Sequence, residues 1–342
     1  MNQQKSRENL THATQSKVLT QDRGLHNRSF KELQETAWRL SRQIIEITTQ
    51  AGSGHPSSSL SMIDLLTALY FGGNLRYKAQ EPDWPDRDRF ILSKGHGAPG
   101  LYAVLAEAGY FDPALLATLR KTDSPIEGHP NMRRLAGVEA STGSLGQGLS
   151  IGLGHALAAR VDGRSYRVYV LIGDGESDEG QIWEAAMAAA KYKVDNLTAI
   201  LDFNQFQQTG SVNKVMPSLE PVVDKWQAFG WLVKEINGHD MHEILNTLHL
   251  VKTVTQQPQI IVAHTLKGRG LSPFEKNDVN RKHGEVLKPA EVTIALAELD
   301  EQRSWAHYDP VGPERPVSER ADQRLAAEAV TWQGESGKGK ED

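Results

Sequence analysis

Residues 166–210 read YRVYVLIGDGESDEGQIWEAAMAAAKYKVDNLTAILDFNQFQQTG, and this stretch decides the fold. Tyr166 to Ile172 is β-branched and aromatic and stops at a glycine pair, which predicts a strand. Glu179 to Lys191 is alanine-rich without Gly or Pro, which predicts a helix. Leu197 to Phe203 is apolar again and ends in polar residues, a second strand. Strand, turn, helix and strand make a βαβ unit with a right-handed crossover. The turn carries Gly173-Asp174-Gly175, and the second strand ends at Asp202-Phe203-Asn204. Ligands of open α/β sheets bind outside the carboxyl ends of strands, so both polar clusters fall at one edge. The Asp174 carboxylate and the Asn204 amide oxygen are hard ligands suited to Mg2+ or Ca2+. Two glycines let the backbone approach an anion, and the following helix offers free N–H groups and a positive dipole end. The combination describes a metal-bridged diphosphate.

Composition narrows the class. The 342 residues can bury one large core or two ordinary ones, and 24% charged with 39% hydrophobic residues is ordinary for a globular protein. A net charge of −5 gives no reason to expect nucleic-acid or anionic-membrane binding. There is no apolar run long enough for a membrane span and no apolar signal segment at the amino terminus. Zero cysteines exclude disulfides and thiolate chemistry, and fit a cytoplasmic protein.

Outward from the centre, polar residues 1–30 are expected to form a flexible arm. Phe30 to Gln50 is expected as a helix buried on one face, and Leu60 to Phe71 as a second helix closed by Gly72-Gly73. Arg89 to Leu92 is a short buried strand. It runs into Gly95, Gly97 and Gly100, which satisfy G-x-G-x-x-G before a helix from Leu101 to Ala108. A dinucleotide fold needs a strand ending in an acidic residue about twenty positions on, but Pro113 to Lys121 reads as helical, so this match is accidental. Thr122 to Gly143 is irregular, and loops this long are more often functional than idle. The helix that follows runs to Arg160 and aligns Gly148, Gly152 and Ala156 on one face, which suggests close packing against a cofactor, a neighbouring helix or another subunit. Asp224 to Phe229 and His239 to Val254 read as helices, Gln259 to His264 as a strand, and Pro289 to Leu299 as a closing helix. Residues 31–300 are therefore expected as one α/β domain, with a mostly parallel sheet and helices on both faces, and 301–342 as a disordered tail.

Four of the twelve histidines, His55, His96, His129 and His283, stand beside glycine in loops. A neutral imidazole can donate to a phosphate or a hydroxyl and accept a proton near neutral pH. His12 and His26 lie in the arm and His155, His242 and His249 on predicted helices, where packing or surface roles suffice; His239 and His264 stay open.

GDG followed about thirty residues later by Asn resembles the thiamine diphosphate motif. With SGHP at 53–56, SKGH at 93–96, GHP at 128–130, TGSLGQG at 142–148 and HG at 283–284, the chain resembles transketolase from about residue 35 to 290. Small departures are Ser57 where glycine is common and Gly97 where alanine is common. The resemblance implies the thiamine diphosphate-binding fold. It implies Mg2+ held by Asp174, Asn204 and the Phe206 carbonyl, with Ca2+ or Mn2+ as substitutes. It implies cofactor contacts from His96, Gly143, Leu145, Gly173, Asp174, Gly175, Glu179, Asn204 and His283, and His55, His129 and His283 around the substrate. Glu179 and Glu184 match acids near the subunit interface behind the cofactor. The large departure is length: nothing here matches the pyrimidine-binding and carboxyl-terminal domains of a complete transketolase. The resemblance thus implies the amino-terminal subunit of a split transketolase, paired with a separate carboxyl-terminal subunit in an α2β2 assembly. That assembly would move a two-carbon ketol unit from a ketose, such as a sugar phosphate, to an aldose. The α subunit of a 2-oxo acid dehydrogenase is the first alternative, and would not need the SGHP and GHP histidines. A non-catalytic homologue is the second, opposed by the intact Asp174, Asn204 and histidines.

Overall fold

A computed structural model describes residues 24 to 304. The strands are β1 (Leu25–Asn27), β2 (Gly72–Arg76), β3 (Arg89–Leu92), β4 (Val168–Gly173), β5 (Leu197–Phe203), β6 (Leu232–Asn237) and β7 (Gln259–His264). β3 to β7 form one parallel sheet in the order β3-β4-β5-β7-β6. Its interior strands are buried on both faces, so they read as unbroken apolar runs instead of alternating ones. Successive side chains still divide between two cores. Tyr169 and Leu171 pack with one group of helices, and Val168, Val170 and Ile172 with the other.

The first helical layer is α1 (Phe30–Ala51), α2 (Pro56–Ser61), α3 (Ile63–Phe71) and α4 (Ala98–Glu107). Ser29 caps α1 in a capping box with Glu32, and Gly52 ends it in the left-handed conformation. The opposite layer holds α5 (Gln147–Val161), α6 (Gly180–Lys191) and α7 (Val222–Ala228). α8 (Met241–Leu250) and α9 (Pro289–Ser304) return to the first side. Helices thus cover both faces of a parallel sheet, as expected.

Several expectations need correction. The helix expected from Leu60 starts at Pro56 and is broken at Met62, whose backbone ends α2 and begins α3. Gly72 does cap α3, but the chain continues as β2, which pairs antiparallel with β1 inside the expected arm. β6 was not expected; it is a half-exposed edge strand whose residues Leu232–Asn237 mix apolar and charged types. The segment expected as a helix at Pro113 to Lys121 is a 3-10 turn over Pro113–Thr118. The glycine face of α5 packs on the sheet and not on a cofactor, helix or neighbouring polypeptide. A Cβ at Gly152 would lie 2.4 Å from Val170, and one at Gly148 2.4 Å from the Ser93 hydroxyl. The rest of the expected arm and the tail beyond residue 304 lie outside the described residues, among which no helix is long and apolar enough to cross a membrane.

What the sheet contributes to function is register. Gly173 is the direct partner of Asp202, so the β4 and β5 strands end level and their following loops share one edge.

Candidate active site

At that edge lies a cavity of about 430 Å3. It is lined by His55, His96, His129, Gly143, Leu145, Gly173, Asp174, Gly175, Asn204, Phe206 and His283, every sequence-derived candidate except Glu179. Glu179 and Glu184 are exposed, and Glu179 packs its Cβ toward Gly146. The acid that reaches the cavity is Glu176, which the sequence motifs do not single out. It is buried and accepts from Gly146 N at 2.9 Å, Gly173 N at 3.0 Å and the Ser93 hydroxyl, tying the GDG turn to the TGSLGQG loop. Glycine is required at Gly95, where a Cβ would stand 1.7 Å from the Thr142 carbonyl. Gly97 and Gly100 abut Met62, so this glycine run meets protein and not a dinucleotide.

Asp174 follows β4 directly. One carboxylate oxygen, Oδ1, accepts from Gly175 N at 2.7 Å, while Oδ2 is buried with no partner. An orphaned buried carboxylate oxygen is costly, and a bound cation is the ligand that would satisfy it. Burial, then repulsion from Asp202, pushes its proton affinity up, while Lys267 opposes. Asn204 donates its Nδ2 to Asp202 Oδ2 at 3.1 Å, which fixes the amide so that Oδ1 is the oxygen, accepting from Phe206 N at 3.1 Å. Carboxylate, amide oxygen and peptide carbonyl are a fitting set for a hard divalent ion.

Two lysines complete the floor, and neither stands out from sequence. Lys94 is buried in an ion pair with Asp202 and donates to the Ser58 carbonyl at 2.9 Å. Lys267 is held by a loop tied on both sides. Leu266 N donates to His239 Nε2 at 2.9 Å, Gly268 N to the Ser57 carbonyl at 2.9 Å, and Arg269 to both oxygens of Asp64 at 3.0 Å. His239, open from sequence, is thus a buried link, its other nitrogen 2.8 Å from Asp64.

Three histidines cluster on one wall, with ring centroids 5.2 Å apart for His55 and His96, 5.3 Å for His55 and His283, and 4.9 Å for His96 and His283. Burial, then Arg120, lowers His55 to about 4; burial, then Lys267, lowers His283 to about 3. Burial, then Lys94, holds His96 well below its ordinary value, and burial, then Arg120, lowers His129. All four rings are therefore neutral at pH 7. Because the folded values lie below the unfolded one, their contribution to stability is complete above pH 6.5 and is lost as pH falls toward those values. The imidazole C–H NMR signals of His55 and His283 are expected to stay fixed from about pH 8 to about pH 5.5. Titration of either near its ordinary value would contradict the buried cluster.

Protonation pattern follows from partners. An ammonium can only donate, so His283 Nδ1, 2.8 Å from Lys267 Nζ, is an acceptor and its proton sits on Nε2. His55 Nδ1 is buried without a partner, and a Cβ at Gly284 would stand 3.6 Å from its Nε2.

Comparison with known proteins shows the family. The family model described as transketolase, thiamine diphosphate binding domain, matches residues 34–320. A 6-deoxy-6-sulfo-D-fructose transketolase subunit of Clostridium sp. is 42% identical over 271 residues, covering 79% of this chain and 97% of its own. One of the apulose-4-phosphate transketolase subunits, from Phocaeicola vulgatus, is 41% identical over 261 residues, covering 76% and 91%. The solved transketolase from Leishmania mexicana superposes with a TM-score of 0.74 at 30% identity, over 90% of this chain but only 46% of that one. This chain belongs to the transketolase family and carries that family's thiamine diphosphate-binding domain.

Proposed function

We propose that this chain is the diphosphate-binding subunit of a two-polypeptide transketolase, moving a two-carbon ketol unit from a ketose to an aldose. The observation that carries the reading is the pattern of coverage. The chain spans nearly the full length of relatives named as transketolase subunits, yet about half of a solved transketolase. A second polypeptide would supply the pyrimidine-binding and carboxyl-terminal parts, in an α2β2 assembly of the cytoplasm. Its substrates would be sugar phosphates or analogues such as the sulfonated sugar in the name of the Clostridium relative.

Asp174, Asn204 and the Phe206 carbonyl would hold Mg2+, supported by the orphaned Asp174 Oδ2. Lys267, His96 and the glycines at 173 and 175 line the same space and would receive the diphosphate. Thiamine diphosphate, when bound, supplies the electron sink for breaking and forming the carbon–carbon bond. The chain's part is to orient and to handle protons. The neutral His55 ring can take a hydroxyl proton, and His283 can donate from Nε2 to a developing oxyanion. His129, which also lines the cavity, has its carbonyl held by the Tyr102 hydroxyl at 2.9 Å and would contact the substrate.

The test is reconstitution. The chain should show no ketol transfer alone and should gain it when co-expressed with a polypeptide carrying the missing domains, assayed on phosphorylated, sulfonated and branched ketoses. Robust turnover by the isolated chain would overturn the split-subunit reading.

A further inference from the structure

Four buried ionisable groups cluster at the base of the site: Asp174, Lys94 and Lys267, which line the cavity, and Asp202 behind Lys94. Lys94 is committed to Asp202. Lys267 feels the charge of Asp174 but is not hydrogen-bonded to it. Its Nζ donates instead to the Phe206 carbonyl at 2.6 Å, His283 Nδ1 at 2.8 Å and the Gln207 carbonyl at 3.4 Å. An ammonium has three protons, and these contacts use them all. A lysine beside a bare carboxylate, bonded to a carbonyl suited to a divalent ion, occupies part of that ion's place.

We propose that Lys267 is a resident cation that competes with the divalent ion for Asp174 and the Phe206 carbonyl, and that it yields when an entering diphosphate offers its ammonium another partner. This rests on the cation reading above. Two cations at one carbonyl in a buried site repel strongly, because the surroundings screen them poorly. The chain therefore takes up a divalent ion weakly by itself, and takes up ion and diphosphate together. The backbone on either side of Lys267 is anchored through the Leu266 and Gly268 amides, and the Arg269 side chain holds Asp64, so the exchange needs only the flexible Lys267 side chain to move.

The probe is Mn2+ alone with the full chain, followed by the electron paramagnetic resonance signal of the free ion. Lys267→Met should bind Mn2+ about tenfold tighter or more than the unchanged chain, because the buried Asp174 loses its competing cation. Lys267→Gln, which keeps a donor without the charge, should behave likewise. With EDTA present, both variants should bind thiamine diphosphate more weakly than the unchanged chain. Should the methionine variant fold poorly, Mn2+ should raise its thermal midpoint by more than that of the unchanged chain. Equal Mn2+ affinity in all three proteins overturns the exchange and leaves the cation reading standing. Tight Mn2+ binding that survives Asp174→Ala in the Lys267→Met background overturns the cation reading itself.

Discussion

Asp174→Asn is expected to weaken thiamine diphosphate binding by about a hundredfold or more and to erase its dependence on Mg2+. The substitution keeps the size of the side chain and an oxygen able to accept from Gly175 N, as Oδ1 does at 2.7 Å. What it removes is the negative charge and the second carboxylate oxygen, buried without a partner. An amide at that position offers a donor where a cation needs an acceptor. The two effects separate the assigned role from general damage. A merely distorted cavity would bind more weakly with Mg2+ and with EDTA alike. Loss of the ligand should instead bring the two titrations onto one weak curve. Calorimetry on the paired polypeptides, with each condition run on both proteins, makes the comparison. Mg2+ that still sharpens binding in the variant would show that the ion is held elsewhere.

Much of this site is legible in the sequence, for reasons that particular residues make clear. The βαβ unit announces itself because β4 and β5 are buried on both faces and stay apolar throughout, and because a glycine turn marks where the first strand must stop. Register then does the rest, since strands that end level bring their next residues together. The glycine-flanked histidines converge on the cavity at that same edge. The site residues that escape share one property: their partners are remote in sequence. Lys94 and Lys267 sit inside motifs whose evident features are a histidine and glycines, and their meaning lies in Asp202 and Phe206. Glu176 looks like a turn residue until Gly146 and Ser93 fold against it. The β6 strand escapes because half its surface faces outward, which dilutes the apolar pattern that signals its neighbours. β1 is too short to signal itself and exists because β2 offers it an edge. The glycines of α5 are plain in the sequence but their neighbour is not, because a helix face alone does not say what lies beneath it.

Lys94→Met is expected to be the most destabilising single change at the site, costing about 3–5 kcal/mol. Both members of the pair are almost wholly shielded, with Lys94 1% and Asp202 0% exposed. Removing the ammonium leaves a carboxylate supported only by the Ser61 hydroxyl at 2.6 Å, the Asn204 amide at 3.1 Å and the Thr265 hydroxyl. These donors satisfy its lone pairs without neutralising its charge, and Asp174 stands close enough to repel it. Asp202→Asn leaves the opposite problem, a buried ammonium held by the Ser58 carbonyl and hydroxyl. Lys94→Met combined with Asp202→Asn strands neither charge, and the asparagine oxygen can still accept from Ser61. The double variant should therefore be more stable than the sum of the two single losses by about 2 kcal/mol or more, a coupling measurable by urea unfolding of the four proteins. Additive losses would mean that water or a shifted neighbour already compensates the pair. The double variant should nonetheless bind thiamine diphosphate poorly. It lacks the Asp202 carboxylate that dictates which end of the Asn204 amide faces the cavity, and the lysine that ties β5 to α2, the helix after His55.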